Sequence, residues 1–476
     1  MLNGIVEHGG NPAQFVSFAP DGSQRFARVR NLDPSRRFTG FAEAAEAILR
    51  TGAPYVNIRS FLPEKPDGNP FFFGRKGFET PDKISAKAQE LASQGFYIIL
   101  NEEIDVNDGG FSGVLLGNVA EFATRDIPRC VDKPGCAVLP RLTALEFARI
   151  ICGHRINVPY DRGYRVEFSV HPGPVGYGKQ HQIIWQIEKT GRGREAPEPN
   201  PYWPNRVSSD MGDKPFGILV AHLYNFRVPH TQVVGRVIPP FEFGEPTGSP
   251  EQCWRRTCPR EQQPGLFTTK HGMIDPWAMM QREDPRCVKP ESHKDSEDQL
   301  KHEEYEQCIN PEHRMISSVI FQDDVEAIFS GAARTDSTGE AVIEGKRGRG
   351  DDFMIGEGSP SVLPEHVLDA VHNIWEKACG TFGAVRFEWC YDKTGAVWVV
   401  QLHVGQSASR GNTIYPGTPE RFEVFEVTRG LEALRSLAKQ AKRAGFGIVL
   451  KGNVGITSHF GDLLEREQIP SRLERV

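Results

Sequence analysis

The sequence predicts an α+β protein, in which helices and antiparallel strands fill separate stretches of the chain. From residue 164 onward, segments rich in β-branched and aromatic residues are separated by connections rich in Pro, Asn and Gly, which is typical of an antiparallel sheet. Other stretches repeat apolar residues at helical spacing, most clearly over residues 365–379. Gly and Pro contribute 48 and 35 of the 476 residues, so we expect many turns and irregular connections.

The N-terminal part predicts two helices and two strands. Residues 40–51 place Phe, Ala, Ile and Leu on one helical face, and residues 55–60 then have the composition of a strand. A helix over residues 81–94 is expected to end at Gly95, and a buried strand follows at residues 96–100. An acidic stretch and a glycine loop then lead into a further strand.

Four segments of the predicted sheet follow residue 164: RVEFSV, QHQIIWQIE, GILVAHLYNFR and TQVVGRVIPPF. Residues 244–315 differ, because they are polar, rich in Cys, His and Pro, and weakly periodic, so we interpret them as an insertion on the surface of the sheet domain. Cys253 and Cys258 form the only near pair of cysteines there. Zinc sites usually use closer pairs, so free thiols are the simpler interpretation.

The C-terminal part predicts a helix at residues 365–379, ended by Gly380, and then a hairpin with strands VRFEWCY and AVWVVQLHV. A helix at 431–444, a strand at 447–451 and a last helix at 459–467 complete the chain. We find no repeated segment in the sequence.

Composition excludes several classes of protein. The net charge of −6 and the 25% of charged residues do not fit a disordered tail or a generic polyanion binder, so no nucleic-acid partner is predicted. No apolar run reaches the roughly 18 residues needed to cross a bilayer, and the start lacks a secretory pattern, so we expect a cytoplasmic protein without a membrane partner. Nine irregularly spaced cysteines indicate reduced thiols. The sequence leaves open whether the chain forms a homo-oligomer.

The predicted hairpin carries the first candidate residues. Side chains alternate along a strand, so Arg386 and Glu388 share one face while Phe387 and Trp389 share the other. Pairing across the short turn brings Gln401 near Glu388, and a carboxylate beside an amide oxygen is an environment that Mg²⁺ prefers next to phosphates. From the pattern alone, a polar side of the hairpin that faces solvent is the simpler interpretation.

The last helix carries the second candidate. His459 opens this helix, where unpaired backbone N–H groups and the helix dipole favour a phosphate, and the hydroxyls of Thr457 and Ser458 could bond its oxygens. A neutral imidazole has a free nitrogen and can attack a phosphoryl group. The alternative is that His459 only caps the helix.

These two segments resemble the family of phosphoenolpyruvate synthase, pyruvate phosphate dikinase and rifampicin phosphotransferase. The family pattern D-I-E-W, a turn, then L-Q-x-R-P is similar to residues 386–389 and 400–404, and its phosphohistidine pattern G-G-x-T-S-H-A-A-I-V-A-R-E-x-x-I-P is similar to residues 454–470. Two weaker similarities are residues 57–60, which resemble V-R-S-S, and residues 99–113, which resemble V-V-Q-x-M followed by S-G-V.

The resemblance implies an ATP-grasp-like nucleotide-binding domain over residues 1–415, with the insertion at 244–315, and a small α/β phosphohistidine-like domain over residues 416–476 that swivels on a hinge at 405–419. The implied cofactors are ATP and Mg²⁺. The implied site residues are Arg59 as a phosphate clamp, Glu388 and Gln401 as Mg²⁺ ligands, Asn101 and Arg386 as further nucleotide contacts, and His459 as the residue that accepts the phosphoryl group. A small molecule or a protein would then take the phosphoryl group from His459.

The sequence also departs from the family pattern. Arg386 stands where the family has Asp, so it is expected either to pair with Glu388 or to bind phosphates directly. No Gly-Gly-Lys is found near the N-terminus. Arg466 is expected to pair with a carboxylate of the small domain. Two alternatives to a phosphotransferase therefore stay open: a nucleotide-binding regulatory protein without turnover, and an ATP-grasp ligase that activates a carboxylate.

Overall fold

The fold is described from a computed structural model, which divides the chain into two compact units, Met1–Pro199 and Asn200–Val476. The described residues are 10–62, 72–73, 80–126, 135–155, 163–177, 180–190, 199, 203–248, 253–261, 263, 269–272, 275–284, 315–350, 354 and 358–475. The predicted domain boundary at residue 415 falls inside the second unit.

The first unit contains two five-stranded sheets. Its strands are β1 (Phe15–Phe18), β2 (Gln24–Arg28), β3 (Tyr55–Phe61), β4 (Phe72–Phe73), β5 (Tyr97–Glu103), β6 (Phe111–Leu116), β7 (Val119–Thr124), β8 (Ala137–Pro140), β9 (Tyr164–Val175) and β10 (Gln180–Lys189). The strand orders are β2-β1-β5-β3-β4 and β10-β9-β6-β7-β8, and all pairings are antiparallel.

Three helices belong to this unit: α1 (Phe41–Leu49), α2 (Pro81–Ser93) and α3 (Arg141–Cys152). The first two pack their apolar stripes on the first sheet, where Ile48 of α1 and Leu91 of α2 join Ile58 and Leu100 in one buried cluster. The first helix was predicted from this periodicity and the second from its end at Gly95, and the existence and placement of both are confirmed.

The second unit contains three sheets. Its strands are β11 (Thr231–Gly235), β12 (Phe241–Phe243), β13 (Cys253–Pro259), β14 (Thr269–His271), β15 (Ile316–Asp323), β16 (Ala327–Thr335), β17 (Ala341–Arg347), β18 (Val385–Asp392), β19 (Val397–Val404), β20 (Thr413–Tyr415), β21 (Phe422–Glu426), β22 (Gly447–Lys451) and β23 (Ser471–Glu474). The strand orders are β12-β11-β15-β13-β14, β17-β16-β18-β19 and β20-β23-β22-β21.

The helices of the second unit are α4 (Arg206–Met211), α5 (Asp213–Leu223), α6 (Pro276–Glu283), α7 (Glu365–Phe382), α8 (Leu431–Ala444) and α9 (His459–Arg466), with a short 3₁₀ turn at Val427–Arg429. Helix α7 runs past Gly380, where it was predicted to end, because Phe382 extends the buried stripe of Val367 and Val371 by further turns. Gly383, with a φ of 77°, ends it instead.

Two predictions about the middle of the chain were wrong. The segment GILVAHLYNFR was predicted as a strand, but it lies largely in α5, where a run of fully buried apolar residues hides the helical period. The segment 244–315 was predicted as a surface insertion, yet β13 lies inside it and pairs with β15 over its length. Residues 285–314 lie outside the described residues, so an insertion there stays a prediction.

The two units share one architecture, although no repeat was found in the sequence. The first sheets have the order β2-β1-β5-β3-β4 in the first unit and β12-β11-β15-β13-β14 in the second. If the strands of each unit are numbered along the chain, both orders are second, first, fifth, third and fourth. The second sheets agree as well, because β10-β9-β6-β7 matches β19-β18-β16-β17 in order and direction. Side chains differ at most positions, which is why periodicity alone did not expose the repeat.

None of the helices in the described part of the chain is long and apolar enough to span a membrane.

Candidate functional site

The hairpin of β18 and β19 carries the first candidate residues. Its register pairs Glu388 directly with Gln401, which confirms the predicted pairing. Phe387 and Trp389 lie on the other face and are buried, as the alternation predicted. The polar face does not face solvent, however: the Glu388 side chain is 13% exposed and Gln401 is 5% exposed. The solvent-facing interpretation of this face was therefore wrong.

Positive charge surrounds Glu388. Arg256 of β13 places Nη1 3.6 Å from Glu388 Oε2. Burial alone would raise the pKa of Glu388, but the nearby charges, with Arg256 first and His459, Lys214 and Arg386 after it, hold this pKa below its usual value. Glu388 is therefore a carboxylate at neutral pH.

The junction between α4 and α5 places Lys214. Gly212 at this junction has a φ of 101°, which favours glycine, and a Cβ there would lie 2.7 Å from Cβ of Cys258. This close packing holds the first turn of α5 against β13. Burial and the nearby Arg256 lower the pKa of Lys214. An additional negative charge would stabilise the ammonium form, so this part of the site favours an anion.

A chain of polar groups orients Gln401. His403 places Nδ1 3.2 Å from Oδ2 of Asp213, and its Nε2 lies 2.6 Å from Nε2 of Gln401. Because an amide nitrogen only donates, Nε2 of His403 accepts this hydrogen bond, and the ring proton is then on Nδ1, the nitrogen that faces Asp213. Trp203 Nε1 donates to Oδ1 of Asp213 at 2.9 Å and so fixes the carboxylate that faces His403. The amide oxygen of Gln401 is thereby left as the atom that could bind a cation.

The guanidinium of Arg386 donates to Asp462 of α9, so its expected pairing with Glu388 was wrong, and phosphate binding by Arg386 stays a prediction. Burial alone would lower the pKa of Arg386, but Asp462 and then Glu388 raise it above its usual value. Asp462 is itself only 2% exposed, and its pKa is held below its usual value, against the effect of burial, chiefly by Arg386. The two charges therefore stabilise each other inside the protein.

His459 lies in the first turn of α9, beside the hairpin. Its Nδ1 is 3.6 Å from Oδ2 of Asp462, and it lies close enough to Glu388 to affect the pKa of that carboxyl group. With Nδ1 directed at a carboxylate, Nε2 is the nitrogen available to a reacting group. The expectation that His459 opens a helix is confirmed, and the structure shows that Asp462 lies in the same first turn.

Strands β16 and β17 hold α9 in place through further ionic contacts. Arg334, which is 1% exposed, donates to Glu465 at 3.2 Å. Glu344 accepts hydrogen bonds from the backbone N–H and the hydroxyl of Thr457, both at 2.9 Å. The Ser458 hydroxyl donates to the carbonyl oxygen of Gly455 at 2.7 Å. The two hydroxyls that were expected to bond a phosphate are thus already bonded within the protein.

The predicted hinge at residues 405–419 is also bonded to its surroundings. The backbone N–H of Ser407 donates to the carbonyl of Thr335 at 3.0 Å, and the backbone N–H of Ala408 donates to Glu465. Arg466 donates to Oε1 of Gln263 at 2.6 Å, so its expected partner, a carboxylate of the small domain, was wrong. A swivelling motion stays a prediction.

Arg59 and Asn101 lie in β3 and β5 of the first unit, whereas Glu388, Gln401 and His459 all lie in the second. The charged side chains that lower the pKa of Glu388, which are Arg256, His459, Lys214 and Arg386, also lie in the second unit. As nucleotide contacts, Arg59 and Asn101 stay predictions.

Sequence reasoning missed Asp213, Lys214 and Arg256. A signal for the first two exists in Gly212-Asp213-Lys214, a glycine followed by a lysine at the start of a helix, but the helix was not recognised because the residues that follow, 217–227, were interpreted as a strand. Arg256 lies in a strand whose charged residues made it look like part of a surface insertion.

The cysteine-rich segment shows no metal centre among its described residues. Cys253 and Cys258 are buried free thiols, and burial raises the pKa of Cys258 to about 11. No group of three or more His, Cys, Asp or Glu side chains that could hold a metal ion occurs in the described part of the chain. Cys287, Cys308, His293, His302 and His313 lie outside the described residues.

Comparisons with known proteins do not show a family. No family model matches, and no curated protein matches. Among solved structures, L-amino acid ligase from Bacillus licheniformis is 9% identical with a TM-score of 0.23, over 42% of this chain and 41% of that one. The D-alanine-D-alanine ligase from Coxiella burnetii is 11% identical with a TM-score of 0.23, over 42% and 49% of the two chains.

A third match is the Chryseobacterium gregarium RiPP-associated ATP-grasp ligase in complex with ADP and a leader and core peptide, at 10% identity and a TM-score of 0.19, over 38% of this chain and 49% of that one. The chain thus spans about half the length of these structures. A structural similarity with TM-scores this low indicates neither a common fold nor a common activity. The resemblance to the phosphoenolpyruvate synthase family gains no support from these matches and stays a prediction.

Proposed function

We propose that the second unit binds ATP with Mg²⁺ and transfers the terminal phosphoryl group. Glu388 and the amide oxygen of Gln401 supply the oxygen ligands that Mg²⁺ prefers, and Lys214 and Arg256 supply positive charge for the phosphates. Mg²⁺ bound there would neutralise phosphate charge. The observation that carries the proposal is the concentration of basic side chains around one buried carboxylate.

When Mg-ATP binds, the buried charged side chains of the site would change their ionic partners, and none of them would be left without one. The metal would take Glu388 from Arg256, and the phosphate oxygens would take Arg256 together with Lys214. Lys214 adds a second cation near Arg256 and Glu388, and phosphate oxygens would bind both cations. Burial and then Arg256 lower the pKa of Lys214, and an anion bound beside it would raise this pKa again.

Calorimetric titration with Mg-ATP tests this binding. Lys214→Met and Glu388→Gln should each weaken the affinity at least tenfold, which corresponds to about 1.4 kcal/mol. Lys393→Met, which removes a lysine from an exposed ion pair on the same hairpin, should leave the affinity unchanged. Unchanged affinity in the first two variants, in folded protein, would refute the proposal.

His459 is the first candidate acceptor of the phosphoryl group, because it lies beside Glu388 with Nδ1 facing Asp462. In this reaction Nε2 attacks the terminal phosphorus, an N–P bond forms, the P–O bond to ADP breaks, and ADP leaves. A small molecule or protein would take the group in a second step. Acid-labile label from ATP that disappears in His459→Ala would support this acceptor, and label that persists would exclude it.

A carboxylate substrate is the second candidate acceptor. The contacts of Arg386 with Asp462 and of Arg334 with Glu465 hold α9 on the sheet, which favours a reaction completed at the site over one that carries a group away. Transfer to the carboxylate gives an acyl phosphate and ADP, and an amine then displaces phosphate, as in an ATP-grasp ligase. ATP turnover that needs a carboxylate and an amine, and survives in His459→Ala, would identify this reaction.

A further inference from the structure

The two units carry the same row of residues across their second sheets. In the second unit, β17, β16, β18 and β19 contribute Glu344, Ala332, Glu388 and Gln401 as direct cross-strand partners. In the first unit, β7, β6, β9 and β10 contribute Glu121, Val114, Glu167 and Gln186 in the same way. The pair proposed to hold Mg²⁺ in the second unit, Glu388 and Gln401, therefore has a counterpart in Glu167 and Gln186.

The neighbouring row of cross-strand partners also matches between the two units. Two residues before each glutamate stands an arginine, and Arg165 faces Glu188 as Arg386 faces His403. The central strands also agree, since Phe-Ser-Gly precedes the row in both units, at residues 111–113 and 329–331.

Both hairpins contain a bulge at the same place. The pairing of β9 with β10 skips Trp185, and the pairing of β18 with β19 skips Val400. Each skipped residue directly precedes the glutamine of the row. Bulges of this kind redirect the neighbouring side chain and are common beside active sites, so the glutamine is set in the same way in both units.

The first sheets add an arginine to each unit. Arg59 of β3 lies opposite Ile99 and β4, as Arg256 of β13 lies opposite Ile320 and β14. Arg256 is the residue that contacts Glu388. The first unit thus has, at equivalent positions, the arginine, the glutamate and the glutamine of the proposed nucleotide site.

From this correspondence we infer that Glu167 and Gln186 form a second divalent-cation site, for Mg²⁺ or a similar hard cation bound with nucleotide phosphates. The nucleotide as the accompanying ligand rests on the function proposed for the second unit. Glu167 is buried, and Oε1 of Gln186 is shielded from solvent and accepts no hydrogen bond from the residues that the structure describes. A shielded amide oxygen without a donor is costly unless something binds it.

Charge distinguishes the two sites. Arg165 donates to Glu167 at 2.7 Å and lies 3.7 Å from Glu188, so one guanidinium serves two carboxylates. In the second unit the corresponding Arg386 is drawn away to Asp462, and Lys214 adds a further cation. The first site is therefore the more acidic of the two, and the cation should contribute more to its affinity than the phosphates do.

Equilibrium dialysis against Mn²⁺ and a non-hydrolysable ATP analogue tests the inference, with protein-bound manganese counted by mass spectrometry. The full chain should hold two Mn²⁺ ions. Gln186→Met, which removes an oxygen that makes no hydrogen bond in the fold, should lose one, and Glu388→Gln should lose the other. The double variant should hold none. Glu167→Gln serves as a second variant at the new site, and circular dichroism confirms that each variant is folded.

The outcomes separate this inference from the proposed function. One bound ion that is lost in Glu388→Gln and kept in Gln186→Met and Glu167→Gln would overturn the inference and leave the proposed function standing. One bound ion with the opposite pattern would overturn the proposed function and keep the inference. No bound manganese at all would overturn both.

Discussion

A buried guanidinium needs an anionic partner, and for Arg386 that partner is Asp462. Asp462→Asn would leave the charge of Arg386 buried without a carboxylate, which should lower the free energy of unfolding by about 3–5 kcal/mol. Urea titration at pH 7 measures the loss. The matched control is Glu326→Gln, which breaks an exposed pair with Lys393 and should cost less than about 1 kcal/mol.

The same pair predicts a pH dependence. The pKa of Asp462 is lowered in the folded protein, so its contribution is fully present above the unfolded pKa of about 3.9 and is lost as the pH falls through the folded value. The stability difference between the wild type and Asp462→Asn should therefore shrink below about pH 4. Equal losses for Asp462→Asn and Glu326→Gln at pH 7 would contradict this account.

Neighbouring residues of β18 should have opposite roles. Trp389 is buried on the core face, so Trp389→Ala should cost about 3–5 kcal/mol of stability. Glu388 lies on the polar face, so Glu388→Gln should reduce Mg-ATP affinity, whereas folded Trp389→Ala should keep it. Thermal unfolding and calorimetric titration of both variants distinguish these roles. Two variants that lose stability equally and bind ATP equally would show that both faces are structural.

At the scale of elements, one glycine sets the distance between α5 and β19. A Cβ on Gly217 would lie 2.0 Å from the carbonyl oxygen of Leu402, so Gly217→Ala must push the helix away. We expect a loss of about 1–3 kcal/mol, as for other overpacked contacts, and weaker Mg-ATP binding because Asp213 and Lys214 move with the helix.

Gly380 is the matched control, since it lies inside helix α7 with no atom within 4 Å of a Cβ built there. Gly380→Ala should stabilise the protein by up to about 1 kcal/mol, because alanine is the better helix former. Chemical denaturation of both variants measures these opposite signs. A stabilising Gly217→Ala would mean that the helix approaches the strand less closely than described.

Features of these elements that depend on residues close together in the sequence could be predicted, and features that depend on distant residues could not. The division of β18 into two faces, and the pairing of Glu388 with Gln401, depend on a two-residue period and a short turn, so they were predictable. Helix α5 was missed because four buried apolar residues in a row show no period. The partner of Arg386 was missed because Asp462 lies 76 residues away, and only tertiary structure brings the two together.

For the whole molecule, the two units should respond differently to acid. In the second unit, Glu388 and Asp462 have lowered pKa values, so stability is lost as the pH falls below about 4. In the first unit, the carboxyl groups with lowered pKa values, Asp21, Asp33 and Glu43, are accessible to solvent and contribute little. Burial raises the pKa of Glu102, so protonation stabilises the fold as the pH falls through that raised value. Acid should therefore unfold the second unit first.

Tryptophan fluorescence can follow this difference, because Trp185 is the one tryptophan among residues 1–199 and the other six of the seven lie in the second unit. In an acid titration, the fluorescence should change at a pH where far-ultraviolet circular dichroism still reports folded strands. A single transition that is the same by both signals would contradict separate responses.

The common strand order of the two units is what the duplication of an ancestral gene would leave behind. A slip of one residue in any strand of the second sheets would turn its glutamate or glutamine to the opposite face, whereas a change in a connection leaves the rows intact. Strand β4 is followed by β5 after 23 residues, and β14 by β15 after 44, yet the rows agree residue for residue. The common origin of the two units is therefore visible in which residues pair across the strands. Relatives of this chain should be sought by comparing strand pairing and not percentage identity.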